Sequence, residues 1–208
     1  MSTRITTEAE LRDLIGSSTP VVQSKISNRL NDLTRQFVER SPFMLLATSS
    51  TDGTCDVSPR GDPAGFVQIL DARTLAIPDR PGNNRLDSLV NIIANPSVGL
   101  LFIIPGFDDT LRVNGKARLV TDPSLLETMS VNDRVPKLAI VVTVREAFLH
   151  CAKAFRRSHL WDPAHFQDRA EMPSLMHILL DQTGGAPGED ELRKKDEDLE
   201  EEYKQTMY

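Results

Sequence analysis

The chain is poor in the features that most readily betray a function. Two cysteines, Cys55 and Cys151, in 208 residues are too few to staple a fold and show no C-x-x-C spacing, so a disulfide scaffold and a thiol redox motif are set aside. Both are expected to be buried or inert thiols. No segment approaches the roughly 18 apolar residues of a membrane span. The first twenty residues contain no apolar signal core, so the expectation is a cytoplasmic protein with no membrane partner. There is no G-x-G-x-x-G, no G-x-x-x-x-G-K-S/T and no G-x-S-x-G, which excludes a Rossmann or P-loop nucleotide site and a serine nucleophile elbow. Asp and Glu form no identifiable acid–base pair, so no catalytic residue is named. His150, His159, His165 and His177 lack zinc spacing, and no metal is expected. A basic stripe is missing as well. Of the net charge of −6, the 22 residues from Pro187 to Tyr208 carry −5, and the nearly neutral remainder suits no nucleic acid.

What is present is ordinary in bulk, with 39% hydrophobic and 26% charged residues, the composition of a soluble globular domain. At this length one domain with a real core is expected. Thr7 and Glu10 have capping-box spacing ahead of Leu11, Leu14 and Ile15, which predicts a first helix. A second is predicted from Pro20, with Val22, Ile26, Leu30, Leu33 and Phe37 on one face. That stripe fits either a helix laid on its own domain or a dimer coiled coil. From Ser41 the period shortens. Strands are predicted over Phe43–Ser49 and Thr54–Pro59 around Asp52-Gly53, and over Phe66–Leu70 and Thr74–Ile77 around Asp71-Ala72-Arg73. A helix over Asn84–Ala94 precedes strands Val98–Ile104 and Leu111–Val120, where Gly115 suggests a bulge or a close approach. After a short helix at Asp122-Pro123 come a strand over Lys137–Val144, a helix over Glu146–Arg157 and a helix over Pro173–Gln182. Gly184–Gly188 reads as a hinge, and the acidic tail as a solvated helix or disorder. Six or seven strands meandering between helices argue for a small barrel.

Three groups of residues carry chemistry. Ser58, Arg60, Gly61 and Asp62 end a strand, where Gly61 admits a planar ring and Arg60 suits a phosphate or an electron-rich ring edge. They also suit a surface turn with a structural Arg–Asp pair. Arg80, Asn83, Asn84 and Arg85 are the densest cluster of phosphate donors, in a Pro/Gly turn running into a helix. The plainer alternative is a helix N-cap with solvated arginines. His150, Cys151, Lys153, Arg156, Arg157, Ser158 and Trp161 crowd a short segment that also reads as a packed helix with a basic outer face.

Five ordered blocks then carry a resemblance. SPRGD (Ser58–Asp62), IPDRPGNNRLDSL (Ile77–Leu89), NPSVGLLFIIPG (Asn95–Gly106), TLRVNGKARL (Thr110–Leu119) and His150–Trp161 resemble the pyridoxamine 5′-phosphate oxidase-like flavoproteins. The likeness covers roughly Ser41 to Pro163. It implies a mainly β fold with flanking helices, the FMN-binding split β-barrel, an antiparallel Greek-key-like barrel of six to seven strands. Residues 1–40 would pack as helices on the barrel, 41–183 form it, and 184–208 be an acidic tail. The implied cofactor is FMN, held by Ser58, Arg60, Gly61, Asp62, Arg80, Asn84, Arg85 and Arg112, with Lys153 and Trp161 bordering the flavin. A homodimer with two cofactor sites along its interface is implied, since so small a barrel cannot enclose a flavin. The implied activity is FMN-dependent oxidation or reduction of a small molecule, and flavin chemistry requires few protein side chains. The alternatives are a deazaflavin-dependent reductase on the same fold, or a non-catalytic flavin or haem carrier or sensor. The Arg-rich C-terminal block that binds substrate phosphate in pyridoxamine phosphate oxidases has no counterpart in Gly184–Tyr208, which argues against that particular activity.

Overall fold

The structure is a computed structural model that describes residues 4–185 and 188–208. Seven strands form one antiparallel sheet in the order β2-β1-β5-β6-β7-β4-β3. They are β1 (Phe43–Ser49), β2 (Cys55–Gly61), β3 (Gln68–Asp71), β4 (Thr74–Pro78), β5 (Ser97–Ile103), β6 (Thr110–Val120) and β7 (Ala139–His150). The period of two sets the layers. Along β1 and β5 every second residue is buried, so Met44, Leu46, Leu100 and Phe102 enter the core with Leu111 and Val113 of β6. Leu45, Ala47, Gly99 and Leu101 face outward and are only partly covered. On β2 the inward residues are Asp56, Ser58 and Arg60, opposite Thr48, Leu46 and Met44. A polar edge strand therefore closes one side of an apolar core.

The two sheet edges, β2 and β3, are not paired to each other. The β2 edge and the β4 end are instead bridged by side chains. Arg60 donates to Asp79 at 2.6 Å and Arg80 to Asp62 at 2.6 Å, so the end of β2 is tied to the segment leaving β4 across an open seam. This is the split barrel that the strand pattern and the resemblance predict. Helix α4 (Asp87–Ala94) buries Leu89 and Ile92 in the core. It also hydrogen-bonds β1 and β2, Asn91 to Thr48 and Asp56 and Ser88 to Ser58.

The N-terminal and C-terminal helices add little core. Helix α1 (Glu8–Ile15) has the predicted capping box from Thr7 and Glu10 but buries no residue. The single helix expected from Pro20 is instead two, α2 (Pro20–Ser24) and α3 (Asp32–Arg40). Between them Ser27 exchanges both backbone hydrogen bonds with Ala147 of β7, at 3.1 and 2.7 Å, and pairing with a sheet edge outweighs helical propensity. The helix expected over Glu146–Arg157 is likewise displaced. β7 runs on to His150 because β6 pairs with it through Thr110 and the Ser27 bridge occupies its other side. Helix α6 is only Lys153–Ser158. The bulge at Gly115 is present, with the β6–β7 register slipping between Asn114 and Gly115. Helices α5 (Pro123–Glu127), α7 (Leu175–Gln182) and α8 (Glu189–Thr206) complete the chain, α8 without a buried residue. Of the expected hinge, residues 186 and 187 lie outside the described residues. Both cysteines are free and exposed rather than buried.

Candidate functional site

The seam brings together three of the predicted site residues, Arg60, Asp62 and Arg80, with Asp79, which the sequence did not single out. Arg60 and Asp62 follow one another at the end of β2, two apart and therefore on one face, while Asp79 and Arg80 leave the end of β4. The two crossed ion pairs are well shielded, with 19% and 22% of the Arg60 and Asp79 side chains exposed and 14% and 1% of Arg80 and Asp62. Neither arginine pairs with its chain neighbour in the way a local turn would require. Arg80 Nη2 also donates to the Met129 carbonyl at 2.8 Å. Ser58 shares a 3.1 Å hydrogen bond with Ser88 of α4. Gly61 has room for a side chain, since an added Cβ would lie 3.4 Å from Phe43 and 3.5 Å from the Pro42 carbonyl. Nothing in the protein itself demands glycine there.

Tyr208 completes the seam, a contribution that charge and composition of the tail conceal. Its hydroxyl donates to Asp62 at 2.9 Å, the Arg80 guanidinium lies 5.5 Å from its ring centroid, and Arg134 donates to its backbone oxygen at 2.9 Å. The hydrogen bond to Asp62 chiefly raises the phenol pKa, with burial second. One tyrosine at the end of a tail of charged residues gives a sequence reader no periodicity to follow.

Beyond Arg80 the chain makes an unusual turn into α4. Asn84 and Leu86, on either side of Arg85, both adopt left-handed backbone angles, φ 56° and 63°. For a bulky residue such as Leu86 that conformation is a true outlier. Leu86 is the residue that caps α4, and no side chain caps the helix. The helix thus begins three residues later than Asn84, and its first backbone N–H groups are left without a side-chain acceptor. Arg85 is exposed and pairs with Asp87 at 2.8 Å, which raises its already high pKa. Asn83 accepts from the Arg85 backbone N–H at 3.1 Å.

The remaining predicted residues lie elsewhere. Arg112, on β6, faces outward opposite Phe148, its guanidinium 4.3 Å from that ring. Lys153 opens α6 and is exposed. Trp161 donates Nε1–H to the Phe107 carbonyl at 2.8 Å and stacks on Phe155 at 5.9 Å, so its orientation is fixed. Among the described residues two buried donors have no partner, Arg60 Nε and Arg112 Nε. His159, Asp162 and His165 bring their ligand atoms within 4.8 Å of one another on the surface. The two imidazoles are stacked at 4.2 Å and 10°, so their nitrogens lie in parallel planes and do not converge on one point. His165 is already hydrogen-bonded to Asp162.

A seven-stranded antiparallel sheet, curled but left open and flanked by helices, is the architecture of the FMN-binding split barrel. The sequence profile of pyridoxamine 5′-phosphate oxidase matches residues 30–151, and the chain belongs to that family. No curated protein matches it. Among solved structures it is similar to HupZ of Group A Streptococcus, with 18% identity over 58% of this chain and 93% of that one at a TM-score of 0.47. It is also similar to an FMN-binding protein from Syntrophomonas wolfei, with 9% identity, 57% and 89% coverage and a TM-score of 0.43. An F420 reductase gives 23% identity, 56% and 94% coverage and a TM-score of 0.40. These likenesses are distant, and family membership stands on the sequence match.

Proposed function

We propose that the protein is an FMN-dependent oxidoreductase acting on a small molecule, working as a homodimer. The observation that carries this reading is the turn at Asn84–Leu86. Leu86, a bulky residue held at positive φ, is strained, and strain of this kind collects at ligand sites. The turn delivers uncapped helix N–H groups beside an exposed guanidinium, a donor set that suits a phosphate. The sequence has no second, Gly-rich turn of the kind that cradles a pyrophosphate, which favours a mononucleotide over a dinucleotide. Arg60 and Arg80 are committed to Asp79 and Asp62, so their part is to fix the seam on which the turn is mounted.

When bound, the flavin ring supplies the electron-pair acceptor and donor that this site otherwise lacks. The chain's own residues bind and orient. Arg85 would turn from Asp87 to the phosphate and Asn84 would donate its amide, while Trp161 and Lys153, which lie away from this turn within the chain, would border the flavin ring. The partly covered outer row of Leu45, Ala47, Gly99 and Leu101, with Val57 at 65% exposure beside it, is the surface a second copy would cover. Its job would be to exclude water from the ring.

The direct test is to denature the purified protein and weigh the chromophore it releases. FMN is the expected mass; a deazaflavin mass, or no chromophore after reconstitution with FMN, overturns the assignment. Arg85→Ala should lower FMN affinity roughly ten- to a hundredfold, read by flavin fluorescence. Riboflavin, which lacks the phosphate, should bind the variant as it binds the parent. Equal loss for both ligands would make Arg85 structural.

A further inference from the structure

Three basic side chains surround one aromatic ring on the outer face of the sheet. The β6–β7 register sets Arg112 opposite Phe148 and Thr110 opposite His150, so Arg112, Phe148 and His150 share a face. The Arg112 guanidinium lies 4.3 Å from the Phe148 ring centroid, and the His150 ring lies 5.2 Å from it. Lys25 arrives from the segment that follows α2. Its Nζ donates to the Leu149 carbonyl at 2.8 Å and sits 5.1 Å from the same ring centroid. A cation–π contact holds each cation in place but cancels no charge.

No carboxylate answers them. Among the described residues, none of the three takes part in an ion pair. Glu146, two residues before Phe148, accepts from the Asn114 amide at 3.0 Å. Arg112 Nε is buried and donates to nothing. A buried guanidinium N–H without an acceptor is costly, and such groups are rare unless something fills the place. The His150 imidazole feels the same field: burial first, then Arg112 and Lys25, push its pKa below the ordinary histidine value.

We infer that Lys25, Arg112 and His150 form an oxyanion site that takes the carboxylate or phosphate of a small ligand. Arg112 offers the planar fork, Lys25 a mobile point charge and His150 a proton that arrives with the anion. On the flavin reading proposed above, the ligand is the substrate, which would then be an acid. The binding itself does not depend on that reading.

The probe is inorganic phosphate, titrated into flavin-free and FMN-loaded protein while the His150 ring protons are followed by NMR. The charged groups facing His150 are Lys25, from the segment after α2, and Arg112, from β6. A saturable shift is expected, together with a rise in the His150 titration midpoint, since a bound anion favours the imidazolium. Arg112→Gln should weaken phosphate binding roughly tenfold or more, and Lys25→Met by a smaller factor. Unchanged binding to FMN-loaded protein would identify the site as one for the acid group of the substrate. Binding that FMN abolishes and riboflavin does not would identify the occupant as the cofactor's own phosphate. No saturable shift in the parent, or equal affinity in a folded Arg112→Gln protein, overturns the site. Should Arg112→Gln fail to fold, Lys25→Met decides, because an exposed lysine can be replaced without loss of core. Failure of FMN to bind would leave the flavin-free titration intact, so the two readings fail separately.

Discussion

At Gly115 the ladder between β6 and β7 slips by one residue, and the backbone of β7 comes very close. A Cβ added there would lie 2.5 Å from the Thr143 carbonyl oxygen and 2.8 Å from Val142. The neighbour is backbone in the middle of a sheet and cannot swing aside. Gly115→Ala should therefore cost about 1–3 kcal/mol, seen as a lower urea midpoint with little change in slope. This position was legible, because a glycine inside an alternating strand signals a bulge or a close approach, and here both hold. The Asn84 helix cap was not. Asparagine before a helical pattern is a strong capping signal, yet the helix starts after Leu86 in a left-handed conformation that no propensity favours. Context also sets the behaviour of His150. Its folded pKa is depressed, so the fold favours the neutral ring. That contribution is complete above the ordinary histidine pKa and is lost as pH falls through the depressed value. Melting curves taken between about pH 7.5 and about pH 5 should fall more steeply for the parent than for His150→Gln.

Among the elements, every strand was located, although β7 runs six residues beyond its expected end, and two helices were misplaced. Residues 25–29 and 146–150 carry helical spacing, but the first is bridged to β7 at Ala147 and the second is drawn into β7 by its pairing with β6, which sequence periodicity cannot see. Strand pairing between positions 120 residues apart is settled by the rest of the sheet. The tail was read as solvated, and α8 buries nothing, yet Tyr208 reaches Asp62. Tyr208→Phe should remove one hydrogen bond and lower stability by about 1 kcal/mol. The raised phenol pKa means that this contribution is present below the ordinary tyrosine pKa and is lost as pH climbs through the folded value. A urea series at neutral and at strongly alkaline pH should show parent and Tyr208→Phe converging at the alkaline end.

For the molecule as a whole, the outer row of Leu45, Ala47, Gly99 and Leu101 was predictable from strand alternation, while the crossed pairs at the seam were not. Arg60, Asp62 and Arg80 stood out as polar and Asp79 did not, and their partners depend on how far the sheet curls. Asp62→Ala would strand Arg80 in a largely buried place and should cost about 3–5 kcal/mol. Replacing both, as Asp62→Ala with Arg80→Met, should recover much of that loss in chemical denaturation. The proposed dimer predicts that Val57→Glu, at an exposed site on the outer face, yields a monomer by sedimentation. The variant's monomer should still be folded by circular dichroism.

The seam has a mechanical meaning too. Around most of its circumference the cylinder is a continuous ladder of backbone hydrogen bonds, stiff against stretching. Along one line it is closed by two guanidinium–carboxylate contacts and a phenol. A tube slit lengthwise and fastened by a few rivets resists bending well and torsion poorly. Twisting motion should therefore gather at this line, where the strained turn into α4 is anchored, and the amides of β6 and β7 should be the slowest to exchange with solvent.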